Sequence, residues 1–429
     1  MCKVETKQHA AATAVQAPEQ QQQSHQLPSA AQASTGEVLE KRPTIHGKHN
    51  PDLPTLGEIR AAVPKHCFER SLLTSSLYLG RDLVMATILF CTARHFLPVY
   101  DMGVLGAIGW TAYVIVQGTV FAGLWVLGHE CGHQAFSNYR VVNDTVGYLV
   151  HTALLVPYFS WAYTHGLHHA RVNHMLDGES HTPNLQKKVM ASFQKFADLM
   201  GDEAFAVFHV FIYLLLAWPL YIINGSGASK RNHEGKRWSK EMLKRPNHFL
   251  PTSELFPDKM RLSVAGSTAG VLVVIAGLCY WGSIEGSRTV LLQYFLPYLV
   301  VNAYLIGFTW MQHTHPDVPH LGEDEWSWVA GTILTIDRPY PAFIDVLTHR
   351  IGSTHVAHHL FSKMPWYHAR EATVHIKALL EPKGVYNYDP TPFYKALYNT
   401  ARYCHFMEGV EGIQFFKHVD AQSTKAKVL

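Results

Sequence analysis

Charge is scarce in this sequence. Asp, Glu, Lys and Arg make up 16% of its 429 residues against 48% hydrophobic ones, and the formal net charge is only +3. So little charge argues against an ordinary water-soluble enzyme, and so small an excess of base leaves no electrostatic footprint for nucleic acid. Cysteine is thin as well: Cys2, Cys67, Cys91, Cys131, Cys279 and Cys404 stand far apart with no paired spacing, which excludes a disulfide framework. No dinucleotide-binding glycine fingerprint is visible, so a nicotinamide or flavin cofactor would sit on a partner. The N-terminal stretch has neither the apolar core of a secretory signal nor the arginines of a transit peptide. Its first arginine is Arg42, and Glu5 and Glu19 precede it. Internal repeats are absent too.

What the chain has instead is long apolar runs, at residues 82–100, 103–128, 204–223, 263–282 and 289–310. Each is near the length of about 20 residues that crosses a bilayer core. The sequence therefore predicts a polytopic membrane protein whose spans are helices. Between the third and fourth runs lie Lys230, Arg231, Lys236, Arg237, Lys240, Lys244 and Arg245, a basic loop of the kind that stays on the cytoplasmic side. Residues 1–50, rich in Gln, Ala, Ser and Pro, read as a disordered tail. Residues 51–420 read as one membrane domain, its part after Pro316 a folded cytoplasmic cap, and 421–429 as a flexible tail.

The chemistry is carried by histidine. The stretch "GHECGHQAF" contains His-Glu-x-x-His, the spacing of a zinc protease helix, with His129 and His133 as ligands and Glu130 as general base. Two further stretches change that reading. "THGLHHARVNH" and "THVAHHLFSK" both contain HxxHH, giving His165, His168, His169 and His355, His358, His359. At this composition chance predicts roughly 0.1 such match in the whole chain. On a helix the three positions share a face, so each motif reads as a three-pronged imidazole cluster. A catalytic zinc takes three protein ligands and an open position; eight imidazoles suit two metal ions with room for an oxygen species between them. Imidazole by itself does not select iron over zinc, copper or nickel. An intramembrane zinc protease and a non-enzymatic metal-binding scaffold thus stay open on the residues alone. The scattered His151, His174, His181, His349, His368 and His375 read as hydrogen-bonded helix-end residues, and Cys131 as a small packing residue.

The three boxes HECGH, HGLHH and HVAHH in this order, together with "PKHCFERS", "LLVPYFSW", "AWPLYIINGSG", "QHTHPDVPH" and "TIDRPY", resemble the membrane-bound fatty acyl desaturases, most closely the delta-12 (oleate) type. The resemblance covers roughly residues 55–420. It implies an all-α fold of about four transmembrane helices, with interfacial helices and a cytoplasmic helical cap, holding a histidine-rich site for two non-haem irons. It implies a reaction in which oxygen and two electrons remove two hydrogens from an unactivated acyl chain, leaving a cis double bond. Glu130 then becomes a partner that orients a ligand imidazole through its other ring nitrogen. From "QHTHP" the resemblance implies one more ligand, His313, with His315 as the alternative. A fused cytochrome b5 would show His-Pro-Gly-Gly, whereas His315-Pro316 is followed by Asp317. A separate cytochrome b5 and its NADH-dependent reductase at the endoplasmic reticulum are therefore expected. Where plant members usually carry arginines in box two, this chain has Gly166 and Leu167. That leaves open a methyl-end desaturase, hydroxylase, epoxygenase or acetylenase of the same family.

Topology follows from parity. All three boxes must lie on one side of the membrane, yet three apolar runs separate box two from box three. One run cannot cross, and 204–223, with Pro219 inside it and the basic loop after it, is expected to be interfacial or re-entrant. Four crossings result, with both termini cytoplasmic.

Overall fold

The computed structural model describes residues 47–100, 103–237 and 246–421. The expected terminal tails, apart from residues 47–50 and 421, lie outside these, as do Asp101, Met102, Lys240, Lys244 and Arg245.

Helix α1 (Leu56–Ala62) starts where Thr55 and Glu58 form a reciprocal capping box. A 3-10 turn at Lys65–Phe68 leads into α2 (Leu72–Phe96), whose N-terminus is capped by the Ser71 hydroxyl. The apolar run at 82–100 misplaced this helix at both ends. Ser75, Ser76 and Arg81 break the apolar pattern of its first turns, while Pro98 forces Leu97 into an extended conformation and stops it. Then come α3 (Gly103–Gly132), α4 (Arg140–Ala153), α5 (Tyr158–Ala170), α6 (Gln186–Met200), α7 (Asp202–Asn224) and α8 (Arg261–Glu285). After Gly286 the chain turns back through α9 (Ser287–Val290), a π-type turn at Leu291–Phe295, and α10 (Leu296–His313). The cap adds α11 (Trp328–Ile333), α12 (Ala342–Leu347), α13 (His355–Leu360), α14 (Trp366–Leu380) and α15 (Phe393–Tyr403). The only named strands among the described residues are β1 (His320–Leu321) and β2 (Ile413–Gln414), paired antiparallel with His320 opposite Gln414.

Among the described residues five helical stretches are long and apolar enough to cross a membrane: Leu72–Phe96, Gly103–Gly132, Asp202–Asn224, Asp258–Glu285 and Ser287–His313, with mean hydropathy from 1.3 to 2.1. Their outer faces expose Leu73, Leu77 and Ile88 on α2 and Leu262, Leu272 and Val273 on α8, a surface suited to lipid and to little else. Helices α3 and α10 pack at the centre. A Cβ on Gly118 would press into the Val300 side chain and lie 2.8 Å from the Pro297 carbonyl, so glycine sets how closely these two helices approach.

Helix α7 is unbroken through Pro219, which removes the re-entrant form of the expectation. Both its ends are tied by polar contacts to segments outside the apolar runs. At the start, Asp202 accepts from Ala421 N at 2.8 Å and pairs with Arg402. At the end, Ile222 O accepts from His248 N, and the loop beyond returns Gly227 O to Thr182 N and Lys230 N to Leu176 O, just past box two. The helix is also one of the five long and apolar enough to cross a membrane.

Candidate metal centre

Each box sits at a helix end that the sequence makes locally. His129 closes α3 and His133 follows it; His165, His168 and His169 occupy the last turns of α5; His355, His358 and His359 are on α13; His313 is the last residue of α10. These ends converge, but the boxes do not each form their own cluster. His129, His133, His165, His169 and His358 make one group, and His168, His313 and His359 another, with donor atoms in each group within 4.8 Å of one another. His355 joins the second group, its Nε2 2.9 Å from His313 Nε2. The split has a geometric cause. At about 100° per residue, the second and third histidines of HxxHH lie on either flank of the first, so one helix end serves two centres. His315 stays outside, its imidazole directed at Asp389.

In the first group three Nε2 atoms form a triangle: His129 to His133 3.3 Å, His129 to His165 2.8 Å, His133 to His165 3.0 Å. Each of these nitrogens is either protonated or not, so two of the three are alike, and at least one contact sets lone pair against lone pair or proton against proton. A cation at the centre resolves the conflict. Two nitrogens each about 2.1 Å from a metal and separated by a tetrahedral or right angle lie roughly 3.0–3.4 Å apart, close to what is seen. In the second group His168 Nε2 is 3.2 Å from His313 Nε2, and neither ring nitrogen of the buried His359 has a hydrogen-bond partner. The donor set therefore fits two metal ions.

The rings are aimed by their other nitrogens. His129 Nδ1 lies 2.9 Å from Glu130 Oε1, which is also 3.7 Å from His358 Nδ1. His168 Nδ1 donates to the Glu179 carbonyl at 2.6 Å, which leaves its Nε2 as the lone pair. Burial, reinforced by the neighbouring imidazoles, holds His165, His169, His355, His358 and His359 well below the usual histidine range. Burial also lowers His168 to about 4, against the pull of the Glu179 carbonyl. Neutral rings are what a metal requires.

Several supporting residues were not singled out from the sequence. The buried Arg338 donates from Nε and Nη2 to Met311 O at 3.1 and 3.0 Å, closing the last turn of α10 beside His313, and pairs with Asp389. Asp337 accepts from Val356 N at 2.9 Å and from Tyr386 OH at 2.5 Å, fixing the start of α13. Gln312 Nε2 donates to Ile351 O at 2.9 Å, just ahead of box three. Of the scattered histidines, His151 donates to Trp125 O at 2.9 Å near the end of α4, and His349 bonds Asp82 at 2.7 Å. His181 instead stacks 5.7 Å from His313, and His320 lines a small cavity with it. Only the phrases "TIDRPY" and "QHTHP" hinted at any of this.

A larger cavity of about 980 Å³, part of it open to the surroundings, runs between α3, α5, α7 and α10. Its wall is mostly aromatic and aliphatic, with Trp125, Trp161, Tyr213 and Trp218 prominent, and it includes the imidazoles of His129, His165, His168 and His355. An apolar channel meeting a nitrogen-lined metal site suits a hydrocarbon substrate.

A model of the fatty acid desaturase family matches residues 108–390. This chain belongs to that family. It is similar to the Delta(12)-fatty-acid desaturase FAD2 of Vernicia fordii, 38% identical over 376 residues, covering 88% of this chain and 92% of the relative. It is also similar to an Omega-6 fatty acid desaturase, endoplasmic reticulum isozyme 2, of Glycine max, 39% identical over 354 residues and covering 82% and 88%. Oleoyl-12-hydroxylase FAH12 of Ricinus communis is 37% identical over 358 residues, covering 83% and 88%. The chain is thus an all-α membrane oxidoreductase of the desaturase class with a fatty acyl substrate. The His-Glu-x-x-His of box one is part of a five-histidine group rather than a protease site.

Proposed function

We propose that this enzyme introduces the delta-12 cis double bond of an oleoyl chain, giving a linoleoyl chain. Its cofactors are two non-haem irons held by His129, His133, His165, His169 and His358 and by His168, His313, His355 and His359; oxygen is the co-substrate. The irons, when bound, supply the oxygen-dependent removal of two hydrogens. The chain's own residues supply position. Trp125, Trp161 and Trp218 bound an apolar cavity that excludes water and holds the acyl chain with chosen carbons beside the imidazoles. Glu130 keeps His129 Nδ1 protonated and its Nε2 directed inward. Electrons come from a separate cytochrome b5 and its reductase. The enzyme resides in the endoplasmic reticulum membrane with four crossings and both termini cytoplasmic. The observation that carries the reading is the joining of the two histidine groups to one apolar cavity.

One second reading has a specific basis. The hydroxylase from Ricinus communis is as similar to this chain as some of the desaturases, so identity does not separate the two outcomes. Expression in a yeast without polyunsaturated acids, followed by gas chromatography of its fatty acid methyl esters, tests both. Linoleate is the expected product; a 12-hydroxy acid in its place assigns the chain to the hydroxylases, and no new acid defeats the proposal.

A further inference from the structure

Away from the two histidine groups, the described residues bring together a set of unlike donors. His66 and Cys67 on the 3-10 turn before α2 meet His368 and Glu371 on α14, and one donor atom from each lies within 4.8 Å of every other. His368 and Glu371 are three apart on a helix and so share a face. His66 and Cys67 are held by the turn itself, in which Cys67 N donates to Pro64 O at 3.0 Å and Glu69 N to His66 O at 3.0 Å. His66 Nε2 lies 3.0 Å from the Glu371 carboxylate and 3.7 Å from Cys67 Sγ, and the Cys67 thiol also bonds that carboxylate, so three of the four donors already converge on one point. The His66 and His368 rings meet edge to face at 5.5 Å.

A cation between them could take one donor from each of the four. For a tetrahedral zinc with sulfur at about 2.3 Å and nitrogen or oxygen at about 2.0–2.1 Å, the sulfur–nitrogen edge is roughly 3.5 Å and the nitrogen–oxygen edge roughly 3.3 Å. The observed 3.7 and 3.0 Å fall near these. The donor chemistry narrows the ion. A thiolate excludes calcium and magnesium, and one sulfur, two imidazoles and a carboxylate form a borderline set of the kind zinc takes. Cys67 is buried while His66 and Glu371 are about half exposed, at 53% and 46% of their side chains. An ion can therefore enter from solvent and find its sulfur on the inner side.

We propose that His66, Cys67, His368 and Glu371 form a zinc site that clamps the segment entering the first membrane helix onto the helix leaving the third histidine box. With four protein ligands it is closed, and so structural rather than catalytic. None of the four residues belongs to either histidine group, so the site is independent of the irons and of the regiochemistry. Its consequence is mechanical. Helix α14 follows α13 after a short turn, and the clamp fixes it from the other side, against a turn that also places Phe68 edge to face with Phe361, one residue past α13.

The test uses the full-length protein, purified in detergent, with zinc and cobalt(II) as probes. Metal analysis should find about one zinc per chain in addition to iron. Cobalt(II) in place of zinc should give a near-ultraviolet thiolate charge-transfer band, which the all-imidazole groups cannot produce. Cys67→Ser should abolish that band and weaken zinc binding by at least roughly 100-fold, the upper end of what loss of an outer partner costs, while iron content stays at the wild-type level. Glu371→Gln, a change at a half-exposed position that spares the fold, should keep the band and weaken zinc. Cys279→Ser, at an exposed cysteine of α8, serves as the control. Wild-type protein that takes up no zinc and shows no band, or zinc affinity unchanged by both Cys67→Ser and Glu371→Gln, would overturn the site.

Discussion

The first histidine group is built largely by local geometry. Two of its pairs, His129 with His133 and His165 with His169, are four residues apart, each at one helix end, and His358 is added singly. The second group has one such pair, His355 with His359 on α13, and adds His168 from α5 and His313 from α10 singly, so each group draws on three helix ends, and His313 owes its place to Arg338 closing the end of α10. Their supports differ in the same way. A carboxylate, Glu130, faces two rings of the first group, whereas a backbone carbonyl, Glu179 O, aims His168 in the second. The difference teaches that the first centre rests on two helical pairs and one single ligand and the second on one pair and two single ligands, so the second leans more on tertiary contacts although both need them.

The largest expected effect removes the distinction. If the groups act together, His358→Ala in the first and His168→Ala in the second should each abolish product in the yeast assay while the protein still accumulates in membranes. His174→Ala is the contrast. Its ring accepts from Leu176 N and Asp177 N and contacts Glu323, apart from both groups, and most activity should survive. Full activity of either box variant would break the assignment of its group.

A smaller set of changes should separate the groups. Arg338 is buried, and Arg338→Met would leave Asp389 with only His315 and Thr391 N as partners and Met311 O without its side-chain donors. Removing one member of a fully buried pair costs ~3–5 kcal/mol, and the part-buried Asp389, which keeps His315, brings the expected cost below that range. The loss should appear as a lower melting temperature in detergent and as loss of iron from the group that holds His313. Glu130→Gln should act on the other group: it keeps the shape but puts an amide where the carboxyl faces His129 and His358, with a cost of about 10 to 100-fold in iron affinity or turnover. Equal disturbance of both irons by both variants, followed by a spectroscopy that resolves the two sites, would show that the groups are not supported separately.

Legibility in the sequence follows the same line. The apolar runs at 103–128, 204–223, 263–282 and 289–310 fall within helices, because a bilayer demands unbroken apolar length. The pairs four apart were readable because helical periodicity is local. The split of each HxxHH between two centres was not, since it depends on what meets each flank of the helix. Arg338, Asp337 and Gln312 reach Met311, Val356 and Ile351 across gaps that leave no periodic trace. His181 was read as an ordinary helix-end residue, yet it stacks beside His313, and nothing within its own stretch, "DGESHTPN", marks it.

The smallest expected effect is no change at all, and it tests whether the two groups share one side of the membrane. Two N-glycosylation sequons occur, Asn143-Asp-Thr and Asn224-Gly-Ser. The fold makes the first uninformative. Asn143 is buried, and its side chain bonds Ser137 N, Ser137 O and Tyr139 O, so it would stay unmodified on either side. Asn224 is the useful one. It ends α7, and its side-chain Oδ1 accepts from Ser226 N at 3.0 Å in an accessible turn. If α7 lies along the interface with both ends on the histidine side, Asn224 should carry no glycan in a eukaryotic host, while a sequon engineered into a lengthened loop at 283–288 should be glycosylated. A glycan on Asn224 would put α7 across the bilayer. The His129 end of α3 and the His313 end of α10 would then need another route to one face, and the pairing of the two groups would lose its topological basis.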